Sequence, residues 1–349
     1  MGHTRPLAEL RAADAASFGG KSASLGELIA AEIPVPPGFG LSTSAYRAFV
    51  EAAGLDGLIA TTMARVDPDD VDTVGAAAHA IGEAMRSAPV PGAVRDEVAA
   101  RYEDLGAPAV AVRSSALGED SQEATFAGQQ DTYLWVRGDD AVCDAVRDCW
   151  VSLYSPPAIS YRARLAEVEP AMGVAVQLMV DAEISGVMFT CNPVSGDPSM
   201  VAINASWGLG LAVVGGEVTP DDYLVSKVTR EVVREHVHAK TVEYVPDAEG
   251  RGAVRVAVPE ERCERPCLEQ SALEALVDIG GRVERYFGSA QDIEWALARG
   301  GELPSSLFVL QTRPVTTQPR SDKPKPTSVM SLLLSTFGAA QQGSDPEGA

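Results

Sequence analysis

Apolar residues recur at helical spacing near the start of the chain. Leu25, Leu28 and Ile29 predict a helix over residues 22–32. It must stop before Pro34-Val35-Pro36-Pro37-Gly38, a run that reads as loop or extended chain. Residues 44–53, 71–88 and 92–105 read as further helices, the last two Ala-rich and bounded by Pro or Gly. The first hundred residues are therefore expected to be mostly helical. After them the pattern turns to short β-like runs at 109–112, 133–136, 174–180, 185–190 and 201–205, with helices at 140–153 and 157–165. Residues 223–258 alternate in short runs. Residues 271–287 carry Leu273, Leu276, Val277, Ile279 and Val283 on an amphipathic helix, and strands at 293–297 and 307–315 follow. Strands and helices interspersed after a helical start indicate an α/β or α+β protein.

The tail differs again. Residues 316–327 are rich in Pro, Lys, Ser and Thr and read as a linker. Residues 328–337 carry Val329, Met330, Leu332, Leu333, Leu334 and Phe337. That segment is too short to span a bilayer, and it reads as a helix that docks on its own domain or on a partner.

Composition narrows the function classes. The 349 residues suit two domains, or one large domain with subdomains. A hydrophobic fraction of 46% with 22% charged residues is an ordinary globular balance. The formal charge of −21 argues against a broad basic footprint for nucleic acid or an anionic membrane surface, though not against a local cationic pocket. No apolar stretch reaches membrane-span length, and no signal peptide is visible. Five cysteines in a long chain suit a reducing, cytoplasmic setting without a disulfide framework.

Four segments can carry chemistry. Phe18-Gly19-Gly20-Lys21-Ser22 opens a predicted helix. A P-loop would need Gly five residues before Gly20, where Ala15 stands. The glycine pair, helix start and Lys21 still suit an anion, although a solvated Lys explains them too. Arg113-Ser114-Ser115 directly follows a buried strand, where a guanidinium can grip phosphate oxygens or pair with Glu119 or Asp120. Glu123 to Thr132 mixes small residues, one Phe, amides and a hydroxyl, as a phosphate-covering loop or a plain turn would. In the last strand pair, alternation sets Glu294 opposite in face to Ile293, Trp295 and Leu297, and puts Val309, Gln311 and Arg313 on one face. If those strands pair, Glu294 and Gln311 meet. A carboxylate with an amide oxygen is hard-oxygen ligation suited to Mg²⁺, with Arg313 beside it for phosphate charge. A neutralised polar sheet face is the plainer account.

Taken together, these segments resemble the ATP-binding N-terminal domain of the phosphoenolpyruvate synthase and pyruvate phosphate dikinase family, over about residues 10–318. Val35-Pro36-Pro37-Gly38-Phe39, Cys149-Trp150-Val151-Ser152-Leu153, Ser185-Gly186-Val187-Met188-Phe189-Thr190, Trp207-Gly208-Leu209-Gly210 and Leu310-Gln311-Thr312-Arg313-Pro314 extend the likeness. The resemblance implies an α+β ATP-grasp fold, with two subdomains and a nucleotide cleft between them. It divides the chain into a mostly helical part (1–108), the ATP-grasp core (109–318) and a tail (319–349). It implies that Lys21, Arg113 and Arg313 contact phosphates and carry catalysis, and that Glu294 and Gln311 hold Mg²⁺. By the same resemblance, Gln177, Leu178, Met179 and Val180 offer their backbone to the adenine edge, with Gly128, Gln129, Thr132 and Glu183 near the nucleotide.

One departure stands out. The family commonly reads Gly-Leu-Gly-Glu where this chain has Gly208-Leu209-Gly210-Leu211. Either the carboxylate is dispensable, or Glu217 or Asp221 covers its role. The family's dikinases also pass phosphate through a histidine on another domain, and none of His3, His79, His236 and His238 has that context. The likeness is strongest to the small ATP-binding subunit of phenylphosphate synthases, which implies a separate subunit carrying the histidine and the acceptor site. A split rifampicin-phosphotransferase-like or phosphoenolpyruvate synthase-like enzyme, or a regulatory subunit without turnover, are the other readings. A zinc site from His236, His238, Cys263 and Cys267 is a remaining alternative.

Overall fold

The computed structural model describes residues 2–116, 132–164, 170–247 and 252–315. Residues 117–131, with Gly128 and Gln129, lie outside the described residues, as do residues 316–327, read above as a linker, and the apolar segment 328–337. The chain opens with β1 (Thr4–Pro6), α1 (Ala15–Phe18), α2 (Gly20–Ala30) and β2 (Gly38–Leu41). Helices α3 (Thr43–Ala52), α4 (Asp56–Met63), α5 (Val71–Ser87) and α6 (Gly92–Asp104) follow. Next come β3 (Val110–Ala116), β4 (Thr132–Val136), α7 (Asp139–Ser152), α8 (Pro156–Arg164) and β5 (Met172–Leu178). The second half runs through β6 (Ala182–Phe189), β7 (Met200–Trp207), α9 (Leu211–Val214), β8 (Asp221–Ser226), β9 (Val232–His236), β10 (Val242–Pro246) and β11 (Ala253–Ala257). It closes with α10 (Glu260–Cys263), α11 (Gln270–Phe287), β12 (Gln291–Ala298) and β13 (Leu307–Pro314).

Two antiparallel sheets organise these elements. The first has the order β1-β2-β5-β3-β4 and the second β13-β12-β6-β7-β8-β9, while β10 and β11 form a separate hairpin. The connection from β5 to β6 joins the sheets through Met179, Val180 and Asp181 alone. Strand β3 enters the first sheet because Val110 and Val112 project onto the helices α3 to α8, in a core with Val174, Val176, Phe49 and Trp150. Alternation turns Ala111 and Arg113 to the other face. In the second sheet Ile293, Trp295 and Leu297 pack against Leu273, Leu276, Val277 and Val283 of α11, and against Leu25 and Leu28 of α2. Helix α11 ends at Gly288, whose left-handed conformation (φ +71°) lets its N–H reach Glu284 O at 2.8 Å. This is the α+β, two-sheet architecture that the ATP-grasp expectation requires.

Helix α4 and strand β2 were not legible in the pattern. No residue of α4 is buried, so it has no apolar stripe to read. Strand β2 is only Gly-Phe-Gly-Leu, yet it pairs with β5 from Gly38 to Leu41. No helix among the described residues is long and apolar enough to cross a membrane. All five cysteines are free thiols.

Candidate functional site

The two sheets meet along β3 on one side and β12 with β13 on the other. Both strands at this seam show the same gradient. Strand β3 and the residue before it turn Ala109, Ala111 and then Arg113 toward the seam. Strand β12 turns Ala298, Ala296, Glu294 and then Asp292 toward it. Small side chains line the end near the β5–β6 hinge, where Ala109, Ala182 and Ala296 pack with Val180, Leu209 and Trp135 in a buried apolar cluster. Charged side chains occupy the other end.

Arg113 joins the sheets. Its Nη2 donates to Glu294 Oε2 at 2.7 Å, and its Nη1 donates to Leu310 O of β13 at 3.1 Å. Lys21, in the first turn of α2, donates to Ser114 O at 3.2 Å. Ser22 N–H of the same turn donates to Ser115 Oγ at 3.2 Å, so β3 caps this helix start. Gly19 makes the approach possible. It sits at φ +82°, and a Cβ there would overlap the backbone oxygen of Ser115. The glycine pair therefore serves close contact with the Arg-Ser-Ser strand. Ser24 Oγ ties α2 to Thr312 O of β13 at 3.2 Å.

Glu294 lies directly opposite Gln311 in the β12–β13 register. Burial alone would push its carboxyl up, but the charge and hydrogen bond of Arg113, helped by Lys21 and Arg313, hold it below its ordinary value. It is thus an ionised carboxylate with 28% of its side chain still accessible. Oε1 has no hydrogen-bond partner among the described residues. An open carboxylate oxygen facing an amide is a donor set that fits Mg²⁺. Asp292, next along the same face, binds Arg313: Nε donates to Oδ2 at 2.8 Å, and Nη2 lies 2.8 Å from the same oxygen. Burial pushes the Asp292 carboxyl up, and Arg313 only partly offsets this. Asp292 was missed by sequence reading, although its parity with Glu294 in Asp292-Ile293-Glu294 signalled a shared face.

Several expectations need correction. Val309 does not share a face with Gln311 and Arg313. The register slips between Glu294 and Trp295, where Leu310 is the extra residue, so Val309 turns into the core beneath α11. Leu310 joins the seam instead. Met179 N–H is not available to an adenine edge, because it donates to Ala109 O at 2.9 Å. Leu178 N–H is likewise held by Pro37 O at 2.8 Å. Val180 N–H and C=O have no backbone partner among the described residues. Gln177 is buried, and its side-chain amide donates to Pro36 O at 3.3 Å, which fixes the strand rather than a ligand. Glu183 O accepts from Gly208 N–H, while Thr132 stands exposed opposite Arg113.

Asp221 cannot replace the carboxylate absent at Leu211. It is wholly buried, with Lys240 Nζ at 2.5 Å, His238 N–H at 3.0 Å and Cys267 N–H at 2.8 Å. Glu217 lies at the surface on Tyr244 Oη (2.6 Å) and Arg255 Nε (2.7 Å). Leu211 itself packs in the seam cluster with Trp135, Val180 and Ala296. The zinc alternative also fails. His238 Nδ1 contacts Pro220 O at 2.9 Å, Cys263 Sγ donates to Val258 O, and no metal-holding group of three or more His, Cys, Asp or Glu occurs among the described residues. Two surface hollows, at Thr229–Val233 and around Pro34, Asp278 and Arg282, are bordered by α11, the helix that packs on the face of the second sheet opposite Glu294.

Comparison with known proteins adds three findings. The family described as pyruvate phosphate dikinase, AMP/ATP-binding domain, matches residues 15–331. A probable phosphoenolpyruvate synthase of Methanocaldococcus jannaschii is 39% identical over 96% of this chain and 29% of its own length. The phosphoenolpyruvate synthase of Pyrococcus furiosus is 35% identical over 95% of this chain and 46% of its own length. The chain thus spans less than half the length of these curated relatives. Among solved structures, D-alanyl-alanine synthetase A from Vibrio cholerae aligns over 93% of this chain and 62% of its own, at 13% identity and a TM-score of 0.36.

Proposed function

The chain belongs to the pyruvate phosphate dikinase AMP/ATP-binding domain family, and from that membership we propose that its inter-sheet seam binds Mg²⁺·ATP for phosphoryl transfer. The observation that carries this reading is the Arg113–Glu294 contact at 2.7 Å between the sheets, with Lys21 and Arg313 acting on the same carboxylate. The base enters between the sheets at the alanine-lined end of the seam, and Val180 at the hinge offers free backbone groups to its edge. Lys21, Arg113 and Arg313 neutralise the triphosphate as it displaces their present contacts. Glu294 and Gln311 hold Mg²⁺, which supplies charge neutralisation between the phosphates.

Positioning and electrostatics make up the chemistry on this chain. The phosphoryl acceptor is a histidine supplied from outside the described residues. His236 lies on the same sheet face as Glu294 but four strands away, about 19 Å at ordinary strand spacing. His3 and His79 contact Ser44 and Glu83, and His238 faces Pro220. We infer a separate subunit that carries this histidine and the acceptor site. That histidine takes the β- and γ-phosphoryl groups as AMP leaves, water releases the γ-group as phosphate, and the β-phosphoryl group then passes to phenol or a related aryl alcohol. Leu211 favours a second reading, a nucleotide-binding subunit without turnover.

β-Labelled ATP separates the readings. With Mg²⁺ and an extract of source cells, label should appear on another protein with AMP formed, and phenol should discharge it. Discharge by pyruvate instead would make the enzyme phosphoenolpyruvate synthase-like. ATP bound without transfer in every arm would favour the regulatory subunit. Arg313→Ala should lower transfer at least a hundredfold with an unchanged circular dichroism spectrum. Near-normal activity in that variant would overturn the site assignment.

A further inference from the structure

Trp135 holds a conformation that bulky residues avoid, at φ +57°. It sits where the β3–β4 register slips between Val110 and Val112. The extra residue puts Leu134 and Trp135 together on the seam side of the first sheet. There Trp135 packs in one cluster with Ala109, Val180, Ala182 and Ala296, residues of the hinge and the alanine-lined end of the seam. Trp135 is 8% exposed, and its Nε1–H is buried without a hydrogen-bond partner among the described residues. Such a group has given up water and received nothing in exchange.

The other tryptophans do not share this position. Trp207 Nε1 donates to Arg262 O at 3.2 Å. Trp150 and Trp295 also lack indole partners, but both are fully enclosed in the two helix-covered cores, away from the seam. Among the four tryptophans, Trp135 alone joins an unmet donor to the seam between the sheets.

We propose that Trp135 is a base-recognising residue: its Nε1–H donates to a ring nitrogen of a purine seated at the alanine-lined end of the seam. This rests on the nucleotide reading above. An indole is a donor only, so it selects an acceptor on the base and rejects an amino group. With the Watson–Crick edge (N1 and the amino group) turned to the hinge backbone, the remaining ring acceptors of adenine are N3 and N7. The left-handed backbone and the register slip then have a purpose, since together they turn the indole from the helical core toward the seam.

Calorimetric titration of the full chain with ATP, 7-deaza-ATP and 3-deaza-ATP, each with Mg²⁺, tests this. One of the two analogues should bind the wild type about threefold to tenfold more weakly than ATP, the worth of one neutral hydrogen bond. Trp135→Phe should weaken ATP by a similar factor and lose that discrimination. Equal binding of all three ligands to the wild type would overturn the proposal, as would discrimination that survives in Trp135→Phe. A second readout needs no variant. ATP should move one of the four indole N–H resonances of the wild type downfield, and four unmoved resonances would overturn the proposal. Failure of ATP to bind the wild type at all would instead sink the nucleotide reading, and this inference with it.

Discussion

Glu294 keeps its charge against burial because three cations share it: Arg113 at hydrogen-bond distance, with Lys21 and Arg313 beyond. Its folded pKa lies below the unfolded value of about 4.3. The pair therefore stabilises the fold above that pH, and the contribution is lost as pH falls through the lower folded value. Glu294→Gln should cost about 1–2 kcal/mol at pH 7, less than a fully buried pair because the carboxylate is partly accessible. The gap in melting temperature between the two proteins should narrow as pH falls below the ordinary carboxylate range. A gap that does not narrow on acidification would mean that packing, not charge, sets the effect. At this scale the sequence was informative where alternation held. Glu294 was legible because Ile293 and Trp295 on either side are apolar and wholly buried. Val309 was misread because one inserted residue, Leu310, reverses the parity of everything before it.

Among the elements, long helices were legible to within a residue or two, since α5, α7 and α11 each carry a buried stripe. The corner between β8 and β10 was not legible. Asp221 and Lys240 are nineteen positions apart, and both are 0% exposed. Asp221 also accepts from His238 N–H and Cys267 N–H, so one carboxylate fixes three segments. Burial and the neighbouring Asp221 charge push the Cys267 thiol up, which leaves it inert. Asp221→Asn should destabilise the protein by about 3–5 kcal/mol in urea unfolding, because Lys240 is left uncompensated. Its ATP affinity in the folded state should be unchanged. A weakened affinity would instead return Asp221 to the nucleotide site, as the substitute for the carboxylate absent at Leu211.

Across the whole molecule, function depends on two sheets that no local pattern brings together. Arg113 and Glu294 are 181 positions apart, and Lys21 and Ser114 are 93 apart. Motif order suggested that these residues cooperate, and the sheet topology explains how: one short hinge lets β3 face β12 and β13. The acidic balance and the local cations are compatible for the same reason. The net charge of −21 is summed over the whole chain, whereas Lys21, Arg113 and Arg313 are gathered at one seam. The central claim is that this seam binds Mg²⁺·ATP through Glu294. Calorimetric titration of ATP into the wild type and Glu294→Gln, with Mg²⁺ and with EDTA, tests it most directly. Mg²⁺ should tighten ATP binding at least tenfold in the wild type and leave Glu294→Gln nearly unaffected. An equal Mg²⁺ effect in both proteins, or no ATP binding by the wild type, would contradict the account.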